Sequence, residues 1–226
     1  MIIKLVVATR FSEADFYEKS ATGKSLKKFM PDFIELNLYS KNTDGLSKLY
    51  NRSIYQPEDD NVIMVFMHDD VHLLDYFWVY RIQEGLQNFD VIGLVGNKSR
   101  QFQQPSWAFK NSKMELDDFK NFSGVIAHGK DQGTSKIDFL GQTRQQVKLI
   151  DGVLIGVKRK NLIDNNLFFD ENFDFDFYDM DFCRQAELKG LKIGTWDIAV
   201  MHESGGNYSS PNWSRSYQNY VAKWGD

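Results

Sequence analysis

His68, Asp69 and Asp70 close an apolar run in "VIMVFMHDDVHLLD" (residues 62–75). Two chemistries compete for them. His68 and His72 have the i, i+4 spacing with which one helical face holds zinc. Asp69 and Asp70, at the end of a strand, would instead hold a hard cation together with a phosphate. Val62, Ile63, Val65 and Phe66 favour strand. On a strand the two histidines stand roughly 13 Å apart, which is too far for a zinc pair. A solvated turn with Asp75 capping the next helix uses the same residues and stays open. A second acidic cluster lies in "FDFDFYDMDFC" (residues 173–183). Alternating Phe and Asp from Phe173 to Phe177 has the period of a strand with one acidic face, Asp174 and Asp176. Asp179 and Asp181 follow where a helix begins, and acids at a helix N-terminus are favoured by the dipole. His202, in "VMHESGG", follows a strand-like run. Alone it reads as readily as a structural histidine, and Glu203 beside it is a rival ligand.

The elements that must position these groups follow from periodicity. Residues 2–8, 33–39, 61–67 and 89–96 read as strands, the third almost wholly apolar as in the centre of a parallel sheet. Between them lie helical patterns. One starts at Ser12 as cap with Asp15 three residues on, and Gly23 interrupts it. One over residues 43–56 puts Leu46, Leu49, Tyr50, Ser53 and Ile54 on one face, with Thr43 or Asp44 as cap. One over residues 73–86 carries Leu74, Phe77, Trp78, Ile82 and Leu86. Strand alternating with helix implies an α/β sheet with crossover helices. Residues 97–148 are irregular and polar, with a short strand at 122–128, and such a long stretch in a compact domain is usually functional or partly ordered. A strand-like run over 147–159, a helix over 177–190 ending at Gly190, a late strand pair over 191–203 and a closing amphipathic helix complete the chain. The last helix shows Trp213, Tyr217, Tyr220, Val221 and Trp224 on one face.

Composition narrows the class. With 226 residues and 42% apolar side chains, the chain suits one domain with a sizeable core. A net charge of −4 argues against a broad nucleic-acid footprint. The single cysteine, Cys183, makes no internal disulfide and reads as a buried core thiol, which fits a cytoplasmic location. "MIIKLVVATRF" lacks a signal-peptide pattern and is too short to span a bilayer, so membrane contact would be peripheral. Trp107, in the irregular segment, could stack on a sugar ring or simply be buried.

"VFMHDDV", "DVIGLVGNK", "LIDGVLIGVKRK", "FDENFDFDFYDMDFCRQAELKG" and "VMHESGG", in this order, resemble the family 2 glycosyltransferases of the GT-A fold over roughly residues 44–206. The resemblance implies a Rossmann-like, mostly parallel central sheet flanked by helices, with a smaller acceptor-side second half. It implies one domain over 1–226, with a nucleotide-sugar half (1–100) and an acceptor and catalytic half (101–226). By the same likeness Asp70 binds a divalent metal, Mn²⁺ or Mg²⁺, and His202 completes its shell; imidazole suits Mn²⁺ better. Asp179 falls on the catalytic base, although Tyr178 stands where relatives have Glu, and Asp181 orients the acceptor or the base. Thr9, Arg10, Asn51, Asp69, Asp151 and Gly152 fall on donor-contacting positions. His68 replaces the usual first acid and would touch ribose or phosphate. The implied reaction is metal-dependent inverting transfer from a nucleotide sugar, a UDP-sugar first, to a glycan or lipid-linked glycan in bacterial surface-glycan synthesis, in the cytoplasm or at the inner face of the membrane. Metal would stabilise the departing diphosphate by several kcal/mol, and a carboxylate base would add about 10²–10⁴-fold. A sugar nucleotidyltransferase would want a Gly-rich loop after the first strand, and "VVATRFSEADF" has no glycine. The alternative from another class is a non-catalytic nucleotide- or carbohydrate-binding domain of the same fold.

Overall fold

The computed structural model describes residues 2–56, 59, 61–130, 134–205, 208 and 210–225. The first half alternates as its periodicity implies. It runs β1 (Ile3–Ala8), α1 (Glu13–Lys19), α2 (Ala21–Phe29), β2 (Ile34–Tyr39), α3 (Leu46–Ile54), β3 (Ile63–Met67), β4 (Val71–Leu73), α4 (Trp78–Asn88), β5 (Val91–Gly93) and β6 (Val95–Asn97). The second half holds β7 (Phe122–His128), β8 (Lys136–Gly141), β9 (Gln146–Val147), β10 (Leu149–Ile150), β11 (Leu154–Lys158), α5 (Arg159–Asp164), α6 (Tyr178–Leu188), β12 (Ile193–Thr195), β13 (Val200–His202) and α7 (Pro211–Trp224).

Seven strands form one sheet in the order β2-β1-β3-β11-β5-β12-β9. β2-β1-β3 and β5-β12 are parallel, while β11 runs antiparallel between β3 and β5. A smaller sheet has the order β10-β6-β7-β13-β4, with β8 added to β7. The large sheet carries a core on each face. Alternation divides its strands between them: Val6, Met64 and Phe66 point into one core, and Leu5, Val7, Val65 and Met67 into the other. Burial on both faces is why β3 reads as an unbroken apolar run.

The chain crosses between the sheets at 68–70, 94, 148, 151–153 and 196–199. The runs read as single strands over 89–96 and 147–159, and the late pair over 191–203, are therefore split between two sheets. Local starts and stops also differ from the sequence reading. Ser20, not Gly23, breaks the first helix, ending α1 and capping α2 through the amide of Gly23. Gly23 lies within α2, at a place that only glycine fits, because a Cβ there would collide with the Phe16 carbonyl. α3 begins at Leu46, capped by Gly45 rather than Thr43 or Asp44. β4 takes up the start of the expected third helix, so Leu74 and Phe77 precede α4, and Phe77 is exposed. Phe173 to Phe177 form no strand among the described elements. α7 starts at a Ser210 cap with Pro211 in its first turn and ends at left-handed Gly225. No helix among the described residues is long and apolar enough to cross a membrane.

The first turn of α2 braces the crossing at 68–70. The Thr22 amide donates to the Asp69 carbonyl at 3.1 Å. The fully buried Thr22 hydroxyl lies 2.8 Å from the His68 carbonyl and 2.9 Å from that of Val71. Thr22→Val keeps the volume and removes the donor, so it should cost about 1–3 kcal/mol in chemical denaturation. Amide exchange should also quicken at residues 68–71. An unchanged midpoint and unchanged exchange would mean that the hydroxyl does not hold this turn.

Candidate active site

A cleft of about 320 Å³ opens where the sheets meet. Two of the crossings supply its floor, His68–Asp69–Asp70 and Asp151–Gly152, and the N-terminus of α6 supplies one wall. Five aspartates line it, Asp69, Asp70, Asp151, Asp176 and Asp179, with His68, His128 and His202. No Lys or Arg lines it among the described residues.

His68, Asp70 and His202 bring one ligating atom each within 4.8 Å of one another. His202 Nε2 lies 3.2 Å and His68 Nδ1 3.9 Å from Asp70 Oδ1. That oxygen is buried and receives no well-aligned hydrogen bond. Burial works to raise the Asp70 pKa, but the two imidazoles outweigh it and bring it down to about 2. Burial lowers the His68 pKa and keeps that ring neutral, against the pull of Asp70. His202 is also buried, yet Asp70 raises it overall. The tautomer of His68 follows from its neighbours. Tyr178 donates its hydroxyl to the Gly152 carbonyl at 2.8 Å, so His68 Nε2, 2.8 Å from the same oxygen, carries the proton and donates. Its Nδ1 lone pair then faces Asp70. An anionic carboxylate with an orphan oxygen and an imidazole lone pair aimed at it suit a divalent cation.

Gly152 ties this group to Asp179. Its amide donates to Asp179 Oδ2 at 2.9 Å, and the Met180 amide donates to Oδ1 at 2.8 Å. A Cβ on Gly152 would collide with the Tyr178 hydroxyl and stand 3.0 Å from Asp179 Cβ, so only glycine allows this approach. Burial, then the charge of Asp151, push the Asp179 pKa up to about 7 against the backbone N–H groups that face it. α6 enters through Phe177, whose φ of 68° and ψ of 0° are left-handed. A bulky residue there costs roughly 1–2 kcal/mol. The buried ring offsets this by packing on α7, with centroids 5.5 Å from Trp213, 5.7 Å from Tyr217 and 5.3 Å from Tyr220.

Of the residues singled out in the sequence, the cleft gathers Asp70, His202, Asp179, His68, Asp69, Trp107, Asp151 and Gly152. Thr9 stands behind Asp69, donating to its carboxylate at 2.6 Å. Trp107 lines the cleft with its indole N–H tied to Asp151 at 2.7 Å. Three residues are placed elsewhere. Arg10 is exposed after β1 and does not line the cleft. Asn51 is buried and bonds to Phe169 and Glu171, joining α3 to the segment before α6. Asp181 is wholly buried, on the side of α6 away from the cleft. The rival ligand Glu203 is bonded to His72 at 2.9 Å, and His72 lies outside the cation group. The zinc pair is thus excluded by geometry.

Sequence reasoning overlooked His128, Phe175 and Tyr208. The signal for His128 was present: "VFMH", "VIAH" and "VMH" are three apolar runs that each end in histidine. β7 and β13 pair His128 directly with His202, so both rings point the same way. Asp138 of β8 then holds His128 Nδ1 at 3.0 Å. Phe175, exposed in the turn before α6, stacks on His68 with ring centroids 5.6 Å apart.

No curated protein sequence matches this chain. Solved structures do. TarS of S. aureus aligns over 99% of this chain and 39% of its own, at 14% identity and a TM-score of 0.56. The catalytic domain of Drosophila β1,4-galactosyltransferase 7, in complex with xylobiose, aligns over 96% and 79%, at 11% identity and 0.52. A Pyrobaculum calidifontis mannosyltransferase, in complex with GDP-Man and Mn²⁺, aligns over 96% and 60%, at 12% identity and 0.51. TarS residues 1 to 349 also have a structure with UDP, which aligns over 65% of that chain. This chain thus spans about two fifths of the longer TarS chain. At these identities the likeness shows the fold alone, which is the GT-A arrangement. A family model described as "Glycosyltransferase like family" matches residues 13–222. The chain that builds this cleft belongs to that glycosyltransferase-like family.

Proposed function

We propose that the chain is a divalent-metal-dependent glycosyltransferase that moves a sugar from a nucleotide-diphosphate sugar to an acceptor hydroxyl. One observation carries the reading. A group suited to a cation and a raised-pKa carboxylate share an acidic cleft that no Lys or Arg lines among the described residues. A diphosphate brought into such a cleft needs a metal for neutralisation. His68, Asp70 and His202 would hold that ion, and two imidazoles favour Mn²⁺ over Mg²⁺. When bound, the ion would offset the negative charge that builds on the departing diphosphate.

The chain's own residues do the rest. Thr9 fixes Asp69, and Trp107 with Val153 fixes Asp151, so neither carboxylate is free to swing. Asp179 keeps a lone pair on each oxygen beyond its two N–H bonds and takes the acceptor's proton. A base with a pKa near 7 suits neutral pH. Trp107, Tyr208 and Trp213 give the cleft aromatic walls for sugar faces. Residues 1–100 then serve the donor and 101–226 the acceptor, with His202 reaching across to Asp70. Inversion, a UDP-sugar donor, a glycan or lipid-linked acceptor and a place in surface-glycan synthesis rest on the family resemblance. The structures of relatives with UDP and with GDP-Man and Mn²⁺ support a nucleotide-sugar donor.

A thermal-shift screen of nucleotide sugars with and without Mn²⁺ selects the donor, because binding raises the melting point by mass action. In calorimetry with UDP and Mn²⁺, Asp70→Asn should weaken binding at least about tenfold and blunt its metal dependence, since a neutral amide loses charge against a hard cation. His72→Ala should change little. Affinity and metal dependence in Asp70→Asn that match wild type would remove Asp70 from the site.

Asp179→Asn should abolish transfer while UDP–Mn²⁺ affinity stays near wild type. Wild-type turnover should fall as pH drops below about 7, because the base must be unprotonated. Stability gives an independent check. A carboxyl raised from 3.8 to about 7 disfavours folding increasingly across that interval and fully above it. Asp179→Asn should therefore be more stable than wild type by about 2 kcal/mol near pH 8, after the loss of one N–H bond, and the difference should shrink and then reverse as pH falls toward 4, because that loss remains. A variant that still transfers sugar would move the base elsewhere, and a wild type that transfers none would return the chain to the non-catalytic binding reading.

A further inference from the structure

We propose that Asp181 is a positioning residue through which α7 holds Asp179 in the cleft. This rests on Asp179 being the base. Two residues along a helix turn the side chain by about 200°, so Asp181 faces away from the cleft when Asp179 faces into it. Asp181 meets α7 instead. Its Oδ1 lies 2.6 Å from Lys223 Nζ and accepts from Trp224 Nε1 at 2.9 Å. Its Oδ2 accepts from Gln185 at 2.6 Å. Lys223 also reaches Asp170 at 2.7 Å, in the segment before α6. The Arg184 guanidinium lies 4.5 Å from the Trp224 ring.

α7 thus grips the first turn of α6 on both sides of Asp179. Trp213, Tyr217 and Tyr220 enclose left-handed Phe177, while Lys223 and Trp224 hold Asp181. Tyr217 ties α7 in turn to the Gln103 carbonyl at 2.8 Å, beside the cleft-lining Trp107 loop. A carboxylate this buried is tolerated only with its partners in place. Removing one should let the turn shift, and a misplacement of about 1 Å at a reacting group costs on the order of 100-fold in rate.

Three variants test this: Asp181→Asn, Lys223→Met and Trp224→Phe. The last is mild, because it keeps a ring on Arg184 and loses one hydrogen bond. Hydrogen exchange is read at amides 178–181 and at Gly152. Turnover is read as UDP release from the UDP-sugar that the thermal screen selects. All three variants should quicken exchange at these amides about tenfold or more, and lower kcat about 10–100-fold with donor KM and UDP–Mn²⁺ affinity near wild type. Loss of turnover in Asp181→Asn alone, with exchange as in wild type, would make Asp181 catalytic and overturn the proposal. So would three variants with wild-type exchange and turnover. If the wild type transfers no sugar, the base reading fails by itself, and faster exchange in all three variants would still show α7 setting the Asp179 turn.

Discussion

The bare Cα of Gly152 is the point on which the cleft depends. Its carbonyl accepts from Tyr178, and its amide donates to Asp179. Tyr178 then accepts from His68, which fixes the ring with a lone pair toward Asp70. One close approach therefore sets both the cation-side tautomer and the position of the raised carboxylate. By the sequence resemblance, Tyr178 stands where family 2 glycosyltransferases usually have Glu. Here it is a buried relay between two halves of the site, with a pKa pushed up first by that burial. A charged Glu in that buried place would need a partner that a phenol does not.

Two sheets rather than one make this approach possible. A strand that continued in one sheet would carry its backbone past the cleft fully paired. Each crossing instead interrupts the ladder and leaves amides and carbonyls to be satisfied by other means. At 68–70 the first turn of α2 does this, and the Glu203 amide adds a bond to the Asp70 carbonyl at 3.0 Å. At 151–153 the Asp151 and Asp179 carboxylates accept the freed amides of Val153 and Gly152. The acids of the cleft thus belong to the backbone's hydrogen bonding as well as to the chemistry proposed for it.

The first hundred residues were legible mainly as far as Met67, where β1, β2 and β3 run five or six residues and the helices between them are amphipathic. The second half was legible only in part, with β7, α6 and α7 close to where the sequence put them. Its strands are two to seven residues long, several switch sheets within one apolar run, and β8 exposes Ile137 and Phe139 instead of burying an alternating face. The acids divided in the same way. Asp70 and Asp179 were found because their motifs mark strand and helix ends. Asn51 and Asp181 lie in equally good motifs but point away from the cleft, Asn51 to the segment before α6 and Asp181 to α7, and residue type does not encode the direction of a side chain. His128 escaped because its histidine-ended run, unlike those of His68 and His202, has no acid beside it; its place depends on the pairing of β7 with β13, which joins segments more than seventy residues apart.

Two carboxylates of one cleft end up with opposite character, and their neighbours decide which is which. Burial works to raise both. Asp70 has two imidazoles beside it, which bring it to about 2 and keep it an anion at any working pH. Asp179 has another carboxylate, Asp151, which adds to the effect of burial and leaves it near 7. A permanently charged oxygen suits holding a cation, and a carboxylate that gains and loses a proton near neutrality suits moving one. Asp151 cannot escape this role by swinging away, because Trp107 and the Val153 amide hold both its oxygens. The repulsion that tunes Asp179 is therefore built into the same turn that places Gly152 against it.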